Sequence, residues 1–325
     1  MAGPGIIWYY VPFGPIAVTP GKIMLIRTIA LVLLITLQMP LATTALAKGE
    51  VEAFKAAYGR YEAALEAKDM EAASDAAGRA LELGKQLFPA DSPSLLALYV
   101  NHGGLLIDLQ RSAEALPVLR EGVSRFEKEY GKKDQRLIFA KWALAEATGK
   151  TGDHDRAIKL LVQVSGMVKK AYGAKTRVFA DVQQLLGQEY YLSDSQYKKA
   201  RRRLSQAHKI YSTLHGDKVY QTGLAALWLG KAKLLERNGV PEAEKHFLEA
   251  LRIFDATTPK GHGLRLSARS LLIHLYEDTE RSDQATGHLL AVAKMRPSPG
   301  VDGNRPLYRR SPAYPEAAAR MEKEG

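Results

Sequence analysis

The chain has 325 residues, of which 46% are apolar: enough for a continuous buried core, long for one compact domain and ordinary for a helical array. It contains no cysteine, which excludes disulfide scaffolds, cysteine zinc sites and thiol catalysis. The net charge of +11 comes from 46 basic and 35 acidic residues and favours anionic partners, yet the two signs alternate along the chain as on a solvated helical surface.

The first predicted element is an address. Met24 to Ala47 carries Arg27 as a positive n-region, an apolar stretch from Thr28 to Leu37, and Ala45-Leu46-Ala47 as an A-x-A cleavage site. The apolar run falls short of the roughly 20 residues a spanning helix needs. A signal peptide over 24–47 is therefore expected, with the mature chain starting near Lys48 and exported to the periplasm; the alternative is an uncleaved anchor in the inner membrane, facing the periplasm. Residues 1–23 are expected to be an extension upstream of a true start at Met24 and to carry no function. No cysteine follows the signal, so lipid attachment has no chemical handle.

Next comes a period. Ala73, Ala115, Ala157, Ala200, Ala243 and Ala285 follow one another at steps of 42 or 43 residues. Four residues after each stand Ala77, Leu119, Leu161, Leu204, Phe247 and Leu289, and seven after each stand Ala80, Gly122, Val164, Ala207, Ala250 and Val292. This i, i+4, i+7 spacing marks one helical face, with a small residue that admits a second helix and a larger one that fills the groove. Apolar helices are expected upstream of each, at Leu95–Leu109, Leu137–Thr148, Phe179–Leu192, Leu224–Glu236 and Leu264–Tyr276. Gly152-Asp153-His154 and Asn238-Gly239-Val240-Pro241 supply the turns. The unit is helix–turn–helix, and residues 48–297 form the repeat domain.

This pattern resembles the tetratricopeptide family, whose signature joins L-G-x2-Y in a first helix to A-x3-F in a second. Leu186-Gly187-x2-Tyr190, Ala200-x3-Leu204 and Ala243-x3-Phe247 carry the likeness, and Gly103 with Leu106 a weaker form of it. The long step is similar to the kinesin-light-chain-like variant. The resemblance implies an all-α, right-handed superhelical array of about six helix-turn-helix repeats, a solenoid whose first helices line a groove for partners. Carried over position by position, it puts Trp142, Glu146, Asp181, Gln184, Gln188, Tyr191, Ser270 and His274 in that groove, a polar and aromatic lining. The densest charge run, Lys198-Lys199-Ala200-Arg201-Arg202-Arg203, reads either as a solvated helix face or as an anion patch.

The tail changes character. Ser298 to Asn304 reads as a linker. Over 305–325, Pro306, Arg309, Pro312, Tyr314, Pro315 and Ala318 resemble the opening of the TonB C-terminal domain, cut short before its sheet; the resemblance implies a link to outer-membrane energy transduction.

No phosphate-binding loop, nucleophile elbow or H-E-x-x-H zinc motif occurs. His208 and His215 could share a helix face, but no carboxylate at ligand spacing joins them along the chain. His102 reads as a packed histidine. The expectation is a protein that is no enzyme, with no catalytic residue, cofactor or metal. Its partners would be proteins or extended peptides of the cell envelope, including TonB-dependent receptors if the C-terminal domain were complete. Nucleic acid is not expected, and membrane contact would come only through an uncleaved N-terminus. The alternative is a binder of cell-envelope polymer or lipopolysaccharide acting through a basic surface.

Overall fold

The computed structural model describes residues 45–193, 196–259 and 262–294. The extension at 1–23, most of the expected signal, the linker and the TonB-like segment lie outside them. The expected cleavage tripeptide Ala45–Ala47 begins the first described helix.

Among the described residues the chain is all-α, without a strand. Twelve helices pair into six hairpins: α1 (Ala45–Glu66) with α2 (Met70–Leu87), α3 (Pro93–Asp108) with α4 (Ser112–Tyr130), α5 (Ile138–Lys150) with α6 (His154–Tyr172), α7 (Arg177–Leu192) with α8 (Tyr197–His215), α9 (Tyr220–Leu234) with α10 (Val240–Thr257), and α11 (Gly263–Asp278) with α12 (Ser282–Lys294). The predicted first helices fall within a few residues of α3, α5, α7, α9 and α11. None of the described helices is long and apolar enough to cross a membrane.

Four of the five turns described inside the hairpins share one backbone device; the turn from α9 to α10 does not, and its Gly239 has a φ of −83°. Lys68, Gln110, Gly152 and Glu280 each take a positive φ one residue before the next helix is capped. Behind them Asp69, Arg111, Asp153 and Arg281 donate their backbone N–H to Ala64, Leu106, Thr148 and Tyr276, five residues back. This is the six-to-one bond that closes a helix through a left-handed residue and satisfies its last carbonyls. Asp69 and Asp153 then cap the following helix, accepting from the backbone N–H of Ala72 at 3.0 Å and of Arg156 at 3.1 Å.

The ends of the second helices are also periodic. Gly131, Gly173 and Gly216 take positive φ after α4, α6 and α8. After α10 that place is held by Thr258, and Arg265 of α11 does the capping. Its guanidinium donates to the carbonyls of Phe254 at 3.2 Å, of Asp255 at 2.6 Å and of Thr258.

Contacts divide the chain into two compact units, meeting in sequence between Met167 and Val168 within α6. In each unit the six-fold alanine series is buried, and so is the residue four places on. The first unit packs Leu119 over Gly103, where an added Cβ would lie 2.5 Å from Leu119 Cδ2. The second repeats the arrangement twice: a Cβ on Gly187 would lie 2.6 Å from Leu204 Cγ, and one on Gly230 would lie 2.6 Å from Phe247 Cε1. In the first hairpin the sizes are exchanged, and the small Ala77 packs in one cluster with the large Tyr61. Close approach of the two helices at these four crossings thus rests on one small partner, on either side.

Candidate functional site

The first helices were expected to carry the interaction surface. In the first unit, Trp142 is 2% exposed on α5 and stacks on Phe139, with ring centroids 6.4 Å apart. One turn on, Glu146 is half-buried and pairs with Lys150 at 3.4 Å. It stands near Asp108, at the C-terminal end of α3. Burial first, then the Glu146 charge, pushes the Asp108 carboxyl up to about 6.

In the second unit, Asp181, Gln184, Gln188 and Tyr191 lie on one face of α7 at helical spacing. Asp181 accepts a hydrogen bond from the Tyr211 hydroxyl of α8 and faces Arg177 at 4.0 Å. Burial raises its pKa, against the pull of that hydrogen bond. Gln184 is buried, and its Oε1 has no hydrogen-bond partner among the described residues. Gln188 is half-buried. Tyr191 packs edge-to-face on Tyr197 and on Trp228 of α9, with centroids 6.0 and 5.7 Å away. Lys231 places its ammonium 4.4 Å from the Trp228 ring centroid, and burial lowers its pKa. Ser270 and His274 share a face of α11; both are half-buried, and His274 Nε2 has no partner among the described residues.

Tyr191, Trp228, Tyr197 and Lys231 therefore form a half-buried aromatic and cationic cluster joining two hairpins of one unit. Of these four, Tyr191 alone is among the groove positions that the repeat resemblance implies. Trp228 could have been found, because it stands two periods after Trp142.

The basic run opens α8. Lys198, Lys199 and Arg202 are exposed, while Arg203 donates to the buried Gln183 at 3.0 Å. Lys198, Lys199, Arg201 and Arg237 line a cavity of about 670 Å³ with Tyr197, and Glu236 is the one acid among its lining residues. Arg201 pairs with Glu236, so part of the positive charge is neutralised inside the cavity. His102, read as a packed histidine, is half-buried, and desolvation lowers its pKa.

The tertiary structure also gathers His208, His246 and Glu249, which no sequence motif linked. His208 had been paired in the sequence with His215, and the expected set contained no metal ligand. The spacing of 38 residues between the two histidines gives no local signal.

No family model matches the chain, and no curated protein matches it. Solved structures do. The chain is similar to BtubC (BKLC) from P. vanneervenii, at 17% identity, covering 74% of this chain and 96% of that one, with a TM-score of 0.58. It is similar to the apo form of RapI at 14% identity over 74% of this chain and 83% of that one, TM-score 0.60. TPR-like repeats of a kinesin light chain from Podosopora anserina match at 19% identity over 65% of this chain and all of theirs, TM-score 0.54. At such identities the likeness is one of fold: the chain has the tetratricopeptide-like helical-repeat fold.

Proposed function

We propose that the protein is a non-enzymatic interaction scaffold of the cell envelope, exported to the periplasm, whose partners are proteins or extended peptides. The Tyr191–Trp228–Tyr197 cluster with Lys231 carries this reading. Large aromatic rings beside a cation, half-exposed on helices fixed by packing, are the kind of anchor at which binding energy concentrates. The polar face of α7 beside it offers hydrogen bonds to a peptide backbone. Photo-crosslinking from position 188 in cells should trap a discrete partner. Trp228→Ala should weaken that partner's affinity by about 30-fold or more, at the level of a strong anchor, with unchanged helicity. Equal affinity of the variant would remove the cluster from the interface.

The location rests on the signal-like segment at 24–47. N-terminal sequencing of the exported protein should give a start near Lys48; recovery of the intact chain from the cytoplasm would refute the assignment. A link to TonB-type energy transduction rests on the likeness of residues 305–325, and predicts that TonB-dependent receptors are retained by the full chain and lost on removing that segment.

The second reading is a binder of anionic envelope polymer or lipopolysaccharide, favoured by the cavity of Lys198, Lys199, Arg201 and Arg237. Exposed charge pairing must weaken as salt rises. Binding of lipopolysaccharide that is indifferent to ionic strength would eliminate it.

A further inference from the structure

Two histidines and one carboxylate meet between the second helices of neighbouring hairpins. His208 stands on α8, and His246 and Glu249 stand three residues apart on α10. Glu249 Oε1 lies 2.9 Å from His208 Nε2, and its other oxygen lies 3.3 Å from His246 Nδ1. The imidazoles cross nearly at right angles with centroids 5.6 Å apart, and one donor atom from each of the three residues falls within 4.8 Å of the others. The side chains are 18%, 16% and 23% exposed, so the group is sheltered yet reachable from solvent.

Ligands bound at about 2.0–2.1 Å around a tetrahedral zinc stand about 3.3 Å apart. The two carboxylate–imidazole contacts, one to each oxygen of Glu249, lie near that spacing, and all three donor atoms fall within 4.8 Å of one another, within reach of a common ion by side-chain rotation. The donors are two neutral-capable nitrogens and one carboxylate, the set that suits borderline divalent metals rather than calcium or magnesium. Arg252, a cation that interacts with Glu249, is engaged by Asp217 at 2.7 Å.

We infer that His208, His246 and Glu249 form a binding site for a zinc-like divalent metal ion that ties α8 to α10. The metal takes the place of the hydrogen bonds between the imidazoles and Glu249, each neutral imidazole carrying its proton on the ring nitrogen away from the metal, and three protein ligands leave one coordination position for water or for a donor from a partner. Since a hairpin is held mainly by its neighbours, a metal bond across two hairpins would stiffen the second unit beyond what packing and the exposed Arg252–Asp217 ion pair supply.

The test uses the full chain, stripped of metal by a chelator and titrated with zinc by calorimetry, with cobalt(II) as a spectroscopic probe. One equivalent should bind saturably, cobalt should show the intense visible bands of a low-coordinate site, and zinc should displace it. His208→Gln, His246→Gln and Glu249→Gln should each weaken binding by more than about 100-fold, beyond the 10–100-fold that losing an outer-shell partner brings. His154→Gln, a histidine outside the cluster, should leave it unchanged. Zinc binding of equal strength in the three cluster variants would overturn the assignment, as would a weak, non-saturating titration of the parent chain. Should a variant lose helicity, the cobalt spectrum of the parent still decides: bands of an octahedral hydrated ion alone would refute the site.

Discussion

At the scale of single residues, two positions show how little room the fold leaves. Gly187 faces Leu204, whose backbone N would stand 3.1 Å from an added Cβ and whose side chain would stand closer still. Alanine is the better helix former by about 1 kcal/mol, but the backbone neighbour cannot give way, and overpacking costs about 1–3 kcal/mol. Gly187→Ala should therefore lower the urea midpoint of the second unit despite its helical propensity. Asp108 makes the opposite case. Its carboxyl titrates near 6 in the folded chain, against an ordinary value of 3.8, because burial and Glu146 oppose its charge. The folded state then holds a proton that the unfolded state has released. Stability is full below about pH 4, falls as pH rises to about 6, and stays low above that. Asp108→Asn should remove this loss, adding about 1–2 kcal/mol at pH 7 after solvent screening and almost nothing at pH 4. A denaturation series at the two pH values checks the sign. Lys141 shows how a buried charge is partnered: fully buried, it meets Glu127 at 2.7 Å and the Lys132 carbonyl at 2.5 Å.

At the scale of elements, the repeat is a pair of helices, closed in four of the five described turns by a left-handed residue. Only one of these four uses glycine, Gly152; Lys68, Gln110 and Glu280 hold the same conformation with a Cβ. That conformation costs a side-chain-bearing residue about 1 kcal/mol, partly offset by the greater entropy glycine loses on folding. Gln110→Gly should consequently raise stability by about 0.5 kcal/mol, and Gly173→Ala, after α6, should lower it by about 1 kcal/mol; thermal unfolding of the pair would show shifts of opposite sign. The helix pairs were legible in the sequence because the alanine triplets set a face and a step at once. The capping glycines 131, 173 and 216 carry the same 42–43-residue step, a second local signal of the repeat. The role of Arg265 was not legible, since a charge in a first helix says nothing about which carbonyls it will reach.

At the scale of the molecule, the principal contacts among the described helices join neighbours or next-but-one neighbours in the chain. Contact order is therefore low, which favours fast folding, and stability is distributed over neighbouring hairpins. Hydrogen exchange should report this directly. Gly187→Ala should speed exchange in α7 to α10 and leave α1 to α3 protected as in the parent; uniform acceleration would mean one cooperative block. The chain alone determined that it is helical, that its unit is a hairpin of 42–43 residues, and which face of each second helix is buried. It could do so because helical periodicity and close packing act over a few residues and leave their mark locally. Tertiary structure decided the rest. Trp228 joins Tyr191 and His208 reaches Glu249 only because separate hairpins stack, and the register of that stacking is set by the summed packing of many side chains rather than by any short stretch of sequence.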